Sequence, residues 1–279
     1  MKIISPPKYR NSAFLLFFLS ACFLLSGCSE TKDPYFPASI IPQEIIKICK
    51  NEYNLDVKVN IVQDTLWLYI PLKRFVDQAG NVDEEFVGTL NHVVLSVNRV
   101  IMSTRQPPKF YAIVASDIKD VGADYLTVGY ILDVKRYLYN FISREEFLRR
   151  QGVSFSLNPE ALGDTDGKHI TFSNVTLDSF ILSQIEQRLM SKFEQDSLLS
   201  KFKLEKIRAV PEGNNIKFVL EIKGADKFRY DVDFTDIALK IISYVFFAYD
   251  FKDFETVTIV DSYSGKTNTY SRKALEDFR

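Results

Sequence analysis

The sequence predicts an α+β fold made of two similar halves. Each half has the order helix, strand, strand, helix, strand, strand and forms an antiparallel sheet covered by helices. Apolar residues recur at helical spacing in the longer segments and on alternate positions in the shorter ones. Setting Ile113-Val114-Ala115-Ser116 against Ile259-Val260-Asp261-Ser262 brings the long predicted helices before them into near register. The sequence therefore predicts a divergent internal duplication, although α+β chains also produce this order by chance.

The first half covers residues 38–152 and is predicted from helix signals and alternating strands. Pro42 suits a first helical position, Asp83 precedes an acidic first turn, and Ser143 begins a capping box. Its long helices are predicted at about 42–53 and 83–103, and a shorter helix closes the half. Its strands alternate apolar and polar residues and are predicted at about 57–61, 66–72, 110–116 and 125–134.

The second half covers residues 176–279 and follows a linker predicted at 153–175, which contains Asn158-Pro159. The run Pro211-Glu212-Gly213-Asn214-Asn215 is a strong turn signal between two strands. The long helices of this half are predicted at about 177–193 and 235–249. Its strands are predicted at about 204–210, 216–222, 256–261 and 266–271.

Residues 1–27 have the three zones of a secretory signal peptide. Lys2, Lys8 and Arg10 form a basic start, an apolar run follows from Ala13, and small residues end the segment. The apolar run has about a dozen residues, whereas a membrane-spanning helix needs roughly 20. The segment therefore predicts export rather than a permanent membrane span.

The segment ends in Leu25-Ser26-Gly27-Cys28, which resembles the lipobox of bacterial lipoproteins. The resemblance implies cleavage between Gly27 and Cys28 and acylation of the Cys28 thiol, for example with palmitate, so that the chain is attached to the lipid bilayer. Ser29, where an aspartate would favour the inner membrane, implies the periplasmic face of the outer membrane in a Gram-negative envelope. The alternative is an ordinary secretory signal with a chance cysteine. Residues 28–37 would form a short tether with a reach of roughly 30 Å.

Charge and cysteine content exclude two classes of protein. The chain has 35 basic and 36 acidic residues, and removal of residues 1–27 leaves 32 basic residues against 36 acidic ones. Without a basic field, nucleic-acid binding is not predicted. Cys22 leaves with the signal and Cys28 is acylated, so Cys49 remains alone and no intramolecular disulfide can form. Stability must come from packing, and the apolar helical context of Cys49 predicts a buried thiol.

Carboxylates before one predicted helix could form a hard-metal site; they are Asp231, Asp233 and Asp236. Capping and the helix dipole also favour acidic residues at this position, and we favour that structural role. The chain's histidines, His92 and His169, lack the neighbouring ligands of a zinc motif. The sequence therefore predicts no catalytic residue, no metal and no cofactor.

Two further motifs are incomplete. Gly265-Lys266-Thr267 resembles the end of a phosphate-binding loop but lacks the first glycine of that motif. Asp164-Thr165-Asp166-Gly167 resembles part of a calcium loop but lacks the glutamate at the twelfth position. Both are predicted to be turns. The basic residues Arg144, Arg149 and Arg150 are predicted to form a solvated helix face, because glutamates lie among them.

These observations favour a membrane-anchored lipoprotein of the cell envelope whose body is a non-enzymatic interaction or assembly module for an envelope protein partner. Aromatic residues are abundant, and any that remain exposed in a patch would mark the partner surface. One alternative is a periplasmic lipoprotein that binds a small ligand between its halves. Another alternative is a hydrolase whose catalytic residues meet only in the folded chain.

Overall fold

A computed structural model describes Tyr35 and residues 37–76, 82–224 and 232–277. The lipobox, with the predicted cleavage and acylation at Gly27 and Cys28, lies outside these residues, and so does Asp231. Across the described ranges, no helix is both long enough and apolar enough to cross a bilayer.

Helices and strands follow the predicted order with two differences: residues 131–134, predicted to end a strand, begin a helix, and the start of the predicted linker forms a strand. The α-helices are α1 (Ile41–Tyr53), α2 (Glu84–Met102), α3 (Ile131–Leu138), α4 (Arg144–Arg149), α5 (Leu177–Gln195), α6 (Phe234–Ala248) and α7 (Arg272–Glu276). The strands are β1 (Lys58–Val62), β2 (Thr65–Leu72), β3 (Phe110–Asp117), β4 (Ala123–Tyr130), β5 (Gly152–Leu157), β6 (Phe202–Glu212), β7 (Asn215–Gly224), β8 (Thr256–Asp261) and β9 (Thr267–Ser271). The predicted α+β class with two similar halves is confirmed.

The two sheets share one topology. β1 to β5 form one sheet and β6 to β9 form the other, each with its strands in chain order. In each half, an antiparallel hairpin is followed by a parallel pair and then by a second antiparallel hairpin. The central pairs, β2 with β3 and β7 with β8, are parallel because α2 and α6 return the chain to the end where the preceding strand began. The sheets are thus antiparallel, as predicted, except at these central pairs.

Side-chain caps explain where several helices begin. Asp83 accepts a hydrogen bond from Glu85 N at 2.8 Å, and Ser143 accepts one from Glu146 N at 3.1 Å. Thr176 caps α5 in the same way through Ser179 N at 3.2 Å. These bonds satisfy backbone donors that have no partner inside the helix.

Helices α1 to α4 cover one face of the first sheet, which we call the helix face. Leu66, Leu68 and Ile113 of the sheet are fully buried there together with Val97 and Ile101 of α2. Burial of each such side chain contributes about 1.5–3 kcal/mol. Cys49 of α1 lies in the same core, so its thiol is buried as the sequence predicts.

The segment predicted as a linker packs against the first sheet. Its first residues form β5, and residues 158–175, which we call the strap, cross the face opposite the helices. Trp67 Nε1 donates to Ser173 O at 2.8 Å, and Asp64 N donates to Asn174 Oδ1 at 3.1 Å. Phe172 packs against Trp67 with 5.5 Å between ring centroids. Both faces of the first sheet are therefore covered near its centre.

The halves meet at one end of the first sheet, which we call the junction end. Phe110 begins β3 there, Tyr130 ends β4 there, and both rings contact Phe180 of α5, at centroid distances of 5.4 and 6.3 Å. Tyr249, just after α6, lies 5.8 Å from Tyr130. Aromatic packing thus joins the two halves.

Candidate functional site

The first half has an open sheet edge at β5. β5 pairs with β4 on one side, and it is the last strand in the order of this sheet. Residues 153–157 are all exposed. The hairpin of α3 and α4 leads the chain from the junction end of β4 back to the same end of β5, which gives β5 its antiparallel direction.

The exposed side chains of β5 form an apolar row. Val153, Phe155 and Leu157 are 46 %, 60 % and 71 % exposed. They lie opposite Thr127, Tyr125 and Ala123 of β4 and therefore point to the helix face. Tyr125 still contacts Phe86 of α2 at 5.4 Å, so the cover provided by α2 ends at β4.

The backbone of the same residues points outward. Asn158 N donates to Gly122 O at 2.7 Å, directly beyond the pairing of Leu157 with Ala123. Hydrogen-bonded and non-hydrogen-bonded pairs alternate along an antiparallel ladder. The amide and carbonyl groups of Val153, Phe155 and Leu157 therefore face away from β4. This edge offers apolar side chains and unpaired backbone groups on the same three residues.

A chain of aromatic contacts supports the centre of the row. Phe155 lies 5.9 Å from Phe75, and Phe75 lies 5.0 Å from Phe86, measured between ring centroids. Phe75 and Phe86 are buried in the helix-face core. Phe155 is therefore exposed on its outer side while its inner side is held in place.

A buried ion-pair network fixes the first end of β5. Arg150 Nη1 lies 2.9 Å from Asp133 Oδ1, and Arg150 Nε lies 2.7 Å from Glu146 Oε1. Burial raises the pKa of Glu146, but hydrogen bonds from Tyr244 and Arg150 outweigh this effect and leave the pKa below its ordinary value. The prediction of a solvated face is therefore wrong for Arg150, which is buried because α3 places Asp133 beside it.

A second buried network fixes the other end of β5. Asn158 Nδ2 donates to Asp124 Oδ2 at 2.6 Å. His169 of the strap lies between two carboxylates, with Nε2 3.1 Å from Asp124 Oδ1 and Nδ1 2.6 Å from Asp164 Oδ2. Burial lowers the pKa of His169, but the hydrogen bonds to Asp164 and Asp124 outweigh burial and raise it above its ordinary value. These contacts hold the strap against β4, next to β5.

The second network contains the residue types of a hydrolase but not an accessible nucleophile. Ser116 Oγ lies 3.4 Å from His169 Nε2, and Asp164 orients the other ring nitrogen. Ser116 is fully buried, and its hydroxyl donates to Asp124. A substrate cannot reach this hydroxyl, so the group serves as support for the strap.

Asp233 and Asp236, which the sequence suggested as metal ligands, each have a different structural role. Asp233 caps α6 by accepting from Thr235 N and Asp236 N, and it also pairs with Lys266. Burial raises the pKa of Asp233, but the hydrogen bonds from Lys266 and Thr235 outweigh this effect and lower it to about 2. Asp236 forms an ion pair with Lys240 at 2.7 Å. No cluster of three potential metal ligands occurs within the described ranges.

The incomplete motifs lie in turns. Gly265 has a φ of +74° between β8 and β9, a conformation that glycine adopts without strain. Asp164 accepts hydrogen bonds from the amides of Asp166 and Gly167, both at 2.9 Å. These contacts give both segments a local structural role.

A groove of about 460 Å³ lies where α4, α5 and α6 meet, between the two halves. Its basic lining residues are Arg149, Arg188, Lys192 and Lys240. Each of them already has a carboxylate partner within 4 Å. The groove therefore has no uncompensated charge that would select an ionic ligand.

No family model, no curated protein and no solved structure matches this chain. Its function must therefore be inferred from its own residues and their geometry.

Proposed function

We propose that this protein is a lipid-anchored lipoprotein of the cell envelope and that its body is a non-enzymatic interaction module. Its β5 edge receives an extended strand from a partner protein of the envelope. The observation that carries the proposal is the coincidence, on Val153, Phe155 and Leu157, of exposed apolar side chains with outward-facing backbone groups.

Strand addition explains both properties of this edge. Backbone hydrogen bonds give affinity to an added strand, and alternate side chains give specificity. Natural edge strands are usually protected by charged residues or proline, and residues 153–157 contain neither. An added strand would satisfy the outward amides and would also cover the apolar row.

The side-chain pattern of β5 and one charge beyond its end define the partner strand. Glu160 is exposed after the strand. The matching segment is therefore extended and apolar on alternate residues, with a basic residue beside Glu160.

The anchor confines this site to the membrane surface. Acylated Cys28 and the tether at 28–37 would hold the body within roughly 30 Å of the bilayer, at the periplasmic face of the outer membrane. Labelled palmitate should enter the wild-type chain and not the Cys28→Ser variant. Equal labelling of both chains would reject the anchor.

The edge is tested by photo-cross-linking in intact cells, with benzoylphenylalanine at position 155 and, as the matched control, at position 156 on the opposite face of the same strand. We expect position 155 to label one envelope protein within a segment of the stated pattern. The cross-linker is then moved to position 153. Phe155→Lys should abolish labelling of the same partner from this position, whereas Ser156→Lys should preserve it.

Three outcomes would overturn the proposed edge. They are labelling of a segment that lacks the alternating pattern, equal labelling from positions 155 and 156, and labelling of a second copy of this chain alone. Phe155 and Ser156 are both exposed, so neither substitution removes a buried side chain.

A further inference from the structure

We infer that the loop between α3 and α4 inserts into the headgroup region of a phospholipid bilayer, an inference that rests on the proposed lipid anchor. Residues 138–141, the last residue of α3 and the first three residues of the loop, are here called the aromatic tip. It is separate from the β5 edge, and it would orient the body on the membrane.

The aromatic tip has the composition of a membrane-interface segment. Tyr139 is 62 % exposed and Phe141 is 78 % exposed, and Leu138 is exposed beside them. Lys135 and Arg144 flank the tip, and neither forms an ion pair with any described residue. Exposed aromatic rings next to basic side chains suit the boundary between acyl chains and anionic headgroups.

The tip lies at the same end of the first sheet as the entry of the tether. Tyr35 lies under the guanidinium group of Arg105, with 5.8 Å from Cζ to the ring centroid. Lys109 follows Arg105 by four positions. The carbonyl oxygen of Lys109 accepts a hydrogen bond from the backbone N of Ile131, the first residue of α3, at 2.9 Å. Both features therefore belong to the junction end.

The lengths of α3 and of the segment from Cys28 to Tyr35 allow the anchor and the tip to reach the same membrane surface. Helix α3 is only about 12 Å long, so the tip stays near the junction end. Cys28 precedes Tyr35 by seven positions, which span about 25 Å at most. An acylated Cys28 can thus lie in the same bilayer that the tip contacts.

The tip is held in one conformation. Phe141 N donates to Arg136 O at 2.7 Å, and Arg136 Nη1 donates to Ala248 O at 3.1 Å. Tyr137 stacks on Phe147 with 4.8 Å between ring centroids. Insertion would therefore require little ordering of the loop, which favours binding.

Fluorescence quenching tests the insertion directly. The acylated chain carrying Phe141→Trp is reconstituted into phosphatidylcholine and phosphatidylglycerol vesicles that contain a lipid with brominated acyl chains. The matched control carries Phe155→Trp, and the native Trp67 is buried in both chains. We expect quenching and a blue shift with Phe141→Trp and neither effect with Phe155→Trp. Absence of quenching with Phe141→Trp, or equal quenching of both chains, would overturn the inference.

A second measurement does not depend on the anchor. The chain 28–279 with Cys28→Ser is titrated with phosphatidylglycerol vesicles, with and without Tyr139→Ser and Phe141→Ser. We expect the two tip substitutions to weaken partitioning by roughly tenfold or more, and Phe155→Ser to leave it unchanged. Equal partitioning with and without the tip substitutions would overturn the inference, whereas failure of palmitate labelling would remove only the anchor.

Discussion

Gly129 of β4 lies directly against the phenol ring of Tyr111 of β3. A β-carbon at Gly129 would overlap Tyr111 Cζ and Oη and would lie 2.5 Å from Gln151 Oε1. Tyr111 cannot move away easily, because it is buried and its hydroxyl donates to Gln151 Oε1 at 2.5 Å. The sheet therefore requires glycine at this position.

Gly129→Ala should reduce the free energy of unfolding by about 1–3 kcal/mol, because overpacking forces neighbouring side chains to shift. Urea denaturation measures the loss. Gly88→Ala is the matched control, since a β-carbon at Gly88 would have no atom within 4 Å. Gly88 lies inside α2, so this control should gain about 0.5–1 kcal/mol. Similar effects of the two substitutions would contradict the packing argument.

His169→Leu should destabilise the chain by about 3–5 kcal/mol, because it leaves the Asp124 and Asp164 carboxylates buried without their shared partner. Chemical denaturation and loss of amide protection in the strap would report the change. His92→Leu is the control, since His92 is exposed and stacks on Tyr53 at 4.2 Å. A loss no larger than that of the control would show that the strap does not depend on His169.

Stability should also depend on pH through His169. Its pKa is raised in the folded chain, so its contribution is complete below the unfolded value of about 6.5 and is lost as pH rises through the folded value. The pKa of Asp164 is lowered, mainly by hydrogen bonds from His169 that outweigh burial. That contribution is present above about pH 4 and is lost on acidification through the folded pKa. Unfolding free energies of the wild type should fall above pH 6.5, and those of His169→Leu should not show this loss.

Arg150→Met should cost about 3–5 kcal/mol, because the fully buried Asp133 loses one of its two guanidinium partners. Adding Asp133→Leu should recover much of the loss, because the buried carboxylate that Arg150 no longer neutralises is then removed. Arg149→Met is the control on the same turn; its side chain is exposed, and its effect should stay within about 0.5 kcal/mol. Additive losses in the double variant, measured by denaturation, would rule out the coupling.

Local sequence patterns predict most of the elements but not how the strands pair; they miss the helix at 131–138 and the strand at 152–157. The cap at Asp83 and the alternation over residues 57–61 and 66–72 predict a helix and two strands that the structure contains. The parallel pairing of β2 with β3 depends on where α2 returns the chain, and the spacing of apolar residues along the chain does not determine that position. The second network joins Asp124 to His169 across 45 positions, so spacing along the chain gives no sign of it.

The sequence alone indicates only part of the candidate site. Val153, Phe155 and Leu157 alternate with serines, which is a strand pattern, but the turn signals that follow at Asn158-Pro159 favour assignment of the whole segment to a linker. Exposure of the row could not be predicted, because it depends on how far α2 extends across the sheet. The burial of Arg150 likewise depends on Asp133 of another helix.

The strap also imposes an order of events on the growing polypeptide. Trp67 is synthesised 106 positions before Ser173, whose carbonyl accepts its indole proton. Until that residue emerges, one side of the first sheet keeps Trp67 and Tyr69 in contact with water, although the strands themselves are complete. A nascent chain that ends at residue 157 therefore exposes the side chains of Trp67 and Tyr69, which the strap covers in the finished protein.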